Sequence, residues 1–148
     1  MGQNLGAKRP DRAETSVWRT GFYNMIFLGV VGIFFIFFAT PVVRLFTSDP
    51  AVVPLAATCL RIVSYGNIGY AYGMVMLQAF NGAGDTITPT IVNLIGFWLI
   101  EIPLAYTLAI PLHMKSNGAF YSIVAAEGFI AGISIILFRR GSWKRQKI

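Results

Sequence analysis

The chain has 148 residues, of which 55% are hydrophobic and only 12% charged, and its mean hydropathy is +0.64. Soluble domains carry about 25% charged residues, so this composition excludes an ordinary soluble protein and favours a lipid bilayer as the solvent. Twelve basic and six acidic residues give a net charge of +6, which suits either nucleic acid or an anionic membrane surface. Because the sequence carries no nucleic-acid-binding motif, we expect a lipid bilayer as its partner and no nucleic acid.

Four apolar stretches are long enough to cross the hydrocarbon core, which takes about 20 helical residues. Turn-forming or polar residues at 47–50, 81–85 and 111–117 separate them. The sequence therefore predicts an all-α integral membrane protein with four transmembrane helices. The predicted spans are about 22–45, 55–80, 89–110 and 118–138, within a membrane part of 21–138, preceded by a cytoplasmic loop and charged helix at 1–20 and followed by a basic cytoplasmic tail at 139–148.

The basic residues predict the orientation, because short cytoplasmic loops and flanks collect Lys and Arg. With four spans, both termini lie on one side, and nine of the twelve basic residues fall there. The other three, Arg44, Arg61 and Lys115, belong to the opposite side or to span ends near it. We therefore expect a multi-pass protein of the cell (inner) membrane with both termini in the cytoplasm.

Glu101 and Glu127 lie alone in the third and fourth predicted spans, and a carboxyl inside a membrane is costly enough to indicate a functional site. At a rise of 1.5 Å per residue, both lie about 17 Å from the cytoplasmic ends of their helices. These spans are joined by a short connection, so we expect antiparallel neighbours whose carboxyls approach each other or line one cavity. Two close carboxyls do not readily both ionise, so one could exchange a proton. Alternatively, each carboxyl only joins two helices.

The second span is the most polar of the four. Tyr65 and Tyr72 are seven residues apart and are predicted to share a helical face. An aromatic and amide-lined wall that also contains Asn67 and Gln78 suits a bulky organic cation. Simple hydrogen bonding between helices is the alternative. The candidate substrate-binding or ion-coupling residues are therefore Glu101, Glu127, Tyr65, Asn67, Tyr72 and Gln78.

Two pairs of glycines with a spacing of four residues lie inside the second and fourth spans. They are Gly69 with Gly73, and Gly128 with Gly132. Such pairs allow close contact between helices in lipid, so we expect them to pack the bundle internally, although a dimer face uses the same motif.

The sequence offers little for catalysis. His113 is the only histidine, Cys59 is the only cysteine, and no metal-ligand cluster or nucleophile–base pair can be assembled. The glycine-rich turn at 82–85 lacks the lysine and spacing of a phosphate-binding loop, so it is interpreted as a tight turn. Asp85 and Thr88 are predicted to cap the next helix, with Thr88 as N-cap and Pro89 as its first residue. We expect no enzyme, no metal site and no cofactor.

Two segments resemble cytoplasmic motifs of the multidrug and toxic compound extrusion (MATE) transporters. The first is GQNLGA at 2–7, followed by RPDRAE at 9–14. The second is QAFNGAGDT at 78–86, with TP at 88–89, NL at 93–94 and IPLAY at 102–106. The resemblance covers nearly the whole chain and implies that the four spans are helices nine to twelve of a twelve-helix carrier built from two lobes.

By that resemblance, the chain is part of a secondary active multidrug efflux antiporter that exports organic cations or drugs in exchange for Na⁺ or H⁺. Its partners would be these small molecules and the missing N-terminal part of the carrier. Alone it would be inactive, because half a cavity cannot alternate access. Met1 falls where the motif commonly has a small apolar residue, so we expect further coding sequence upstream. Lys8 stands where the family often continues with glycine.

Two alternatives remain open. A self-sufficient four-span exporter acting as a dimer would resemble the small multidrug resistance proteins, but those carry their glutamate in the first span, which has none here. A structural membrane protein without transport would use Glu101 and Glu127 only for packing.

Overall fold

The structure, a computed structural model, describes residues 1–145, and these contain helices and no strand. The helices are α1 (Gly2–Gly6), α2 (Pro10–Arg44), α3 (Val52–Gly82), α4 (Ile87–Leu94), α5 (Ile102–Ala109) and α6 (Ser116–Arg140). A π-helical segment, Ile95–Glu101, joins α4 to α5, and a 3₁₀ helix, Ser142–Arg145, follows α6. The predicted all-α fold is confirmed.

Four helical stretches are long and apolar enough to cross a membrane. They are Pro10–Arg44, Val52–Gly82, Ile87–Ala109 and Ser116–Arg140, and each contains most or all of one predicted span. The first is longer than predicted because the charged residues that precede the span continue the same helix. The four-span prediction is confirmed for the described residues. Lys147, part of the predicted basic tail, lies outside them.

Successive spans run in opposite directions, so the bundle has two distinct ends. We call the end formed by 1–15, 83–86 and 138–145 the terminal end, and the end formed by 45–51 and 110–115 the loop end. α3 and α6 lie at the centre: α2 packs against α3, and the stretch from α4 to α5 packs against α6. The third and fourth spans are therefore antiparallel neighbours, as predicted. That the terminal end faces the cytoplasm stays a prediction.

The glycine pairs pack differently from the prediction. A Cβ atom on Gly73 would lie 2.7 Å from the Cα atom of Ala131, so α3 and α6 are in backbone contact there. Gly69, Gly128 and Gly132 have nothing within 4 Å of such an atom. The prediction is therefore wrong for three of the four glycines. Since successive helical residues are rotated by about 100°, Ala131 faces α3 while Gly132 turns away.

The third span is not a regular helix. Pro103 has no amide hydrogen and cannot donate to the carbonyl of Leu99, and the chain widens into the π-helical segment just before it. Gly96 in this segment lies directly against the Ile130 side chain of α6, which would have to shift to accept a Cβ atom there. The distortion next to Pro103 thus takes the form of a π-helix, which is found frequently at functional sites.

α4 begins two residues earlier than predicted, with Thr86 as its N-cap residue, and the Asp85 side chain bonds its first turn. The Asp85 carboxylate accepts hydrogen bonds from the amide of Thr88, at 3.0 Å, and from its hydroxyl, at 2.7 Å. The prediction of Thr88 as N-cap is therefore wrong, because its hydroxyl donates to the carboxylate that precedes the helix. Pro89 lies in the first turn, where a missing amide hydrogen leaves no bond unmade.

The terminal end is closed by an aromatic cluster of Phe80, Phe138 and Trp143, all fully buried. Trp143 stacks on Phe138 with 5.0 Å between ring centroids and donates its indole N–H to the Phe138 carbonyl at 3.0 Å. α1 covers the cluster: a Cβ atom on Gly2 would lie 2.9 Å from the carbonyl oxygen of Gly82. The two motif segments identified in the sequence therefore contact each other at this end.

Candidate functional site

A groove along α3 and α6 contains two clefts that share Tyr70 and Glu127. The cleft nearer the terminal end has a volume of about 200 Å³ and also exposes Gln78, Asn81 and Asn93. The second cleft has a volume of about 300 Å³, and Asn67 lies in its wall. Apolar side chains such as Met74, Phe97 and Ile123 complete the walls. The groove thus combines apolar walls with a few phenol, amide and carboxyl groups, as ligand sites commonly do.

Glu127 is the one charged side chain that lines either cleft in the described part of the chain. Glu127 is half-buried and lies in the middle of α6. It follows the buried Ala126 directly and precedes Ala131, which contacts Gly73 of α3, by one helical turn. Small residues at this level bring α3 and α6 close together, which places Tyr70 and Glu127 across one groove. A carboxyl in this position can bind a proton or a cation.

Glu101 ends the π-helical segment and is half-buried, without lining either cleft. Gly96 lies against Ile130 and Gly118 lies against Ala109, so Glu101 and Glu127 lie at a similar level on neighbouring helices. The two intramembrane acids therefore share one level of the bundle, as their equal depth suggested, but only Glu127 lines the clefts. Their role in ion coupling stays a prediction.

Hydrogen bonds between helices involve other side chains. Asn24 donates its side-chain amide to the carbonyl of Ala71, at 3.0 Å, and joins α2 to α3. Arg61 joins the same helices at the loop end through the Ile36 carbonyl and the Thr40 hydroxyl, each at 3.2 Å. Among residues 1–145, these two side chains link the long helices by hydrogen bonds, and Glu127 does not. The alternative that Glu127 only joins two helices is therefore not supported by a hydrogen bond within this part of the chain.

Tyr65 and Tyr72 do not contribute to the groove, contrary to the predicted wall. Tyr65 is 66% exposed and lines neither cleft. Tyr72 packs against α2, with its ring 5.9 Å from that of Trp18 and in contact with the backbone at Gly21. Both residues are about 200° around the α3 axis from Tyr70, because each helical residue adds about 100°. Of the span-two candidates, Asn67 and Gln78 line the groove, and their role in binding stays a prediction.

Sequence reasoning missed Tyr70, Asn81 and Asn93 as groove residues. Tyr70 follows Asn67 by three residues, and Asn81 follows Gln78 by three, so the period of an α-helix places all four on one side of α3. Asn93 follows Pro89 by one helical turn, and both line the same cleft. The helical spacing of Asn67, Gln78 and Asn81 could have predicted this side of α3 from the sequence. The seven-residue spacing of Tyr65 and Tyr72 indicated the opposite side instead.

Comparison with known proteins gives a consistent picture. The sequence profile of the MatE family matches residues 1–107. The chain is 31% identical over 151 residues to the probable multidrug resistance protein NorM of Caulobacter vibrioides, covering 99% of this chain and 31% of that protein. It is 26% identical over 125 residues to a protein of the same description from Thermotoga maritima, covering 84% of this chain and 27% of that protein.

A further relative is the multidrug resistance protein MdtK of Photorhabdus laumondii, 23% identical over 154 residues, with 99% of this chain and 32% of that protein covered. No solved structure matches the chain. The chain therefore spans about a third of the length of the curated relatives it matches.

Proposed function

The chain belongs to the MatE family, and on that premise we propose that it forms part of a multidrug efflux antiporter, supplying about a third of its transmembrane helices. Members of this family are multi-pass membrane transporters, which agrees with the prediction that the chain is not an enzyme. The terminal end carries most of the basic residues, so we place it on the cytoplasmic side of the inner membrane.

The observation that carries this proposal is the position of Glu127 in the groove. A carboxylate beside the rings of Tyr70 and Phe97 provides both charge and π-faces for an organic cation. The same carboxylate can bind H⁺ or Na⁺. Competition between the ion and the drug for Glu127 would couple entry of one to export of the other.

The groove is not enclosed by the described helices: α3 and α6 form its walls, and Pro89, Asn93 and Phe97 add to them only in the cleft nearer the terminal end. Alternating access needs a second part of the carrier that moves against this one. We therefore propose that the remaining helices of the carrier close the groove and that the chain by itself does not transport.

The test is a chimera in which this chain replaces the segment it matches in the Caulobacter vibrioides relative. Efflux of a cationic dye such as ethidium is measured from cells that express the chimera or the chain alone. Glu127→Gln is expected to slow efflux by at least about tenfold, the effect of losing about 1.4 kcal/mol of binding. Glu14→Gln is the matched control, because the same change at the terminal end lies far from the groove.

Each outcome decides between the candidate functions. Unchanged efflux by the Glu127→Gln chimera at every pH would assign the glutamate to packing and contradict the proposal. Efflux by the chain alone would instead favour a self-sufficient four-span exporter. Collapse of the Na⁺ gradient and of the pH gradient in separate experiments identifies the coupling ion.

A further inference from the structure

A pocket between α2 and α3 at the loop end is lined by two arginines. Its volume is about 680 Å³, and Arg44 and Arg61 share its wall with the hydroxyls of Thr40, Ser48 and Thr58. Val53 and Ala57, both buried, form its apolar floor. None of its lining residues is acidic. This combination of guanidinium and hydroxyl donors is complementary to an anion with several acceptor oxygens.

The guanidinium of Arg61 is held in place by α2. Its Nε atom donates to the Ile36 carbonyl and its Nη2 atom to the Thr40 hydroxyl, both at 3.2 Å. The Ile36 carbonyl lies where α2 departs from helical geometry at Phe38, three residues before Pro41. Since arginine has five N–H donors, these two bonds fix its orientation and leave donors for a ligand.

The loop next to the pocket contains one acidic residue. Asp49 in the 45–51 loop accepts a hydrogen bond from the amide of Ala51 at 2.8 Å and is not part of the pocket wall. Arg44 is exposed and has no ion-pair partner among residues 1–145. Two guanidinium groups against one neighbouring carboxylate leave this part of the described chain with a net positive charge.

Leu45 and Phe46, next to Arg44, are 83% and 86% exposed. Apolar side chains this exposed at the end of a transmembrane helix belong in the membrane interface, where lipid phosphates lie. We propose that the pocket binds a phosphate group, which either an anionic phospholipid headgroup or free phosphate can supply. Arg44 and Arg61 contact its oxygens, and the apolar floor accommodates the glycerol side of a lipid.

The test uses the purified 148-residue chain in detergent and native mass spectrometry with two lipids, phosphatidylglycerol and phosphatidylcholine. Wild-type chain is expected to bind phosphatidylglycerol about tenfold more tightly than its Arg44→Gln variant, as the loss of one charge-assisted contact predicts. Lys115→Gln is the matched control, because it removes one positive charge from the same end outside the pocket. It should leave binding within about twofold of wild type. Arg44→Met replaces the glutamine variant if the latter does not fold.

Competition with inorganic phosphate distinguishes the two possible ligands, a phospholipid headgroup and free phosphate. Displacement of phosphatidylglycerol by millimolar phosphate assigns the pocket to the phosphate group itself, and resistance to displacement assigns it to the intact headgroup. Equal losses in Arg44→Gln and Lys115→Gln would show diffuse charge attraction and overturn the proposal. Equal binding of both lipids without competition by phosphate would overturn it as well.

Discussion

The terminal end and the groove are built from the same two helices, α3 and α6, but they pack in opposite ways. At the terminal end, Phe80 and Phe138 meet edge to face with 6.1 Å between ring centroids, and Trp143 stacks on Phe138. Farther along these helices, Tyr70 and Glu127 leave clefts of about 200 and 300 Å³ between them. Large rings fill one region, and polar groups keep the other open.

The difference indicates a division between stability and function along one helix pair. Buried aromatic rings stabilise the packing of helices through area and ring geometry. A polar carboxyl contributes little to that packing, so its presence in the groove indicates ligand binding. Substitutions at the terminal end should therefore change the free energy of unfolding, and substitutions in the groove should change transport.

The largest effect is expected from Trp143→Ala. Removal of a fully buried indole should lower the free energy of unfolding by about 3–5 kcal/mol, since it leaves a cavity beside Phe138 and deletes a hydrogen bond. Trp98→Ala is the matched control, because Trp98 is 66% exposed, and should cost less than about 1 kcal/mol. Denaturation of the chain in detergent, followed by circular dichroism, measures both. Equal losses would show that the terminal end is not the stable region.

The next effect concerns the contact that holds the groove helices together. Gly73→Ala places a methyl group 2.7 Å from the Ala131 Cα atom, so α3 and α6 must separate, at a cost of about 1–3 kcal/mol. Gly69→Ala meets nothing within 4 Å and should stabilise α3 by up to about 1 kcal/mol through helix propensity. Opposite signs in the same denaturation measurement support this geometry, and a shared sign contradicts it.

In the groove itself, Tyr70→Phe should leave the free energy of unfolding within about 0.5 kcal/mol of wild type. Dye efflux by the chimera should fall by about threefold to tenfold, because one hydrogen bond of about 1 kcal/mol to the bound cation or its water is lost. Tyr65→Phe, the same chemical change on the other side of α3, should leave efflux unchanged. If efflux falls in the Tyr65 variant and not in the Tyr70 variant, Tyr65 rather than Tyr70 belongs to the binding site.

The smallest effect is a pH dependence at the terminal end. Glu14 lies in α2 before the membrane-spanning part, and the Lys144 ammonium, which pairs with it, lowers the pKa of its carboxyl. A lowered pKa in the folded state stabilises the protein above the pKa of the unfolded chain, and this contribution is lost as the pH falls through the folded-state pKa. Both side chains are about one-third exposed, so solvent screening limits the contribution to about 0.2–1 kcal/mol.

Glu14→Gln should therefore be less stable than wild type at pH 7, and the difference should disappear as the pH falls below about 4. In 1 M NaCl the difference at pH 7 should shrink, because salt screens an exposed ion pair. A difference that grows toward low pH would contradict the assignment of the ion pair.

The features of this protein that depend on segment length and composition could be predicted from the sequence. Apolar runs of about 20 residues specify transmembrane helices in any tertiary context, because each backbone amide must be satisfied within its own helix. Counting at 1.5 Å per residue placed Glu101 and Glu127 at one depth, and the contacts of Gly96 with Ile130 and of Gly118 with Ala109 agree with that placement. The positive φ of 55° at Lys8 also fits the family's frequent glycine at that position.

By itself, the sequence determined the number of spans, their alternating directions and the depth of the two acids. The tertiary structure decided the rotation of each helix about its axis, which turned Tyr70 into the groove, left Tyr65 outside it and set Gly73 against Ala131. The physical reason is that lipid and protein neighbours are both apolar, so a transmembrane helix carries little amphipathic signal for its inward face. That rotation is fixed by the close approach of neighbouring backbones at small residues, as at Gly73, and by hydrogen bonds between helices, as from Asn24.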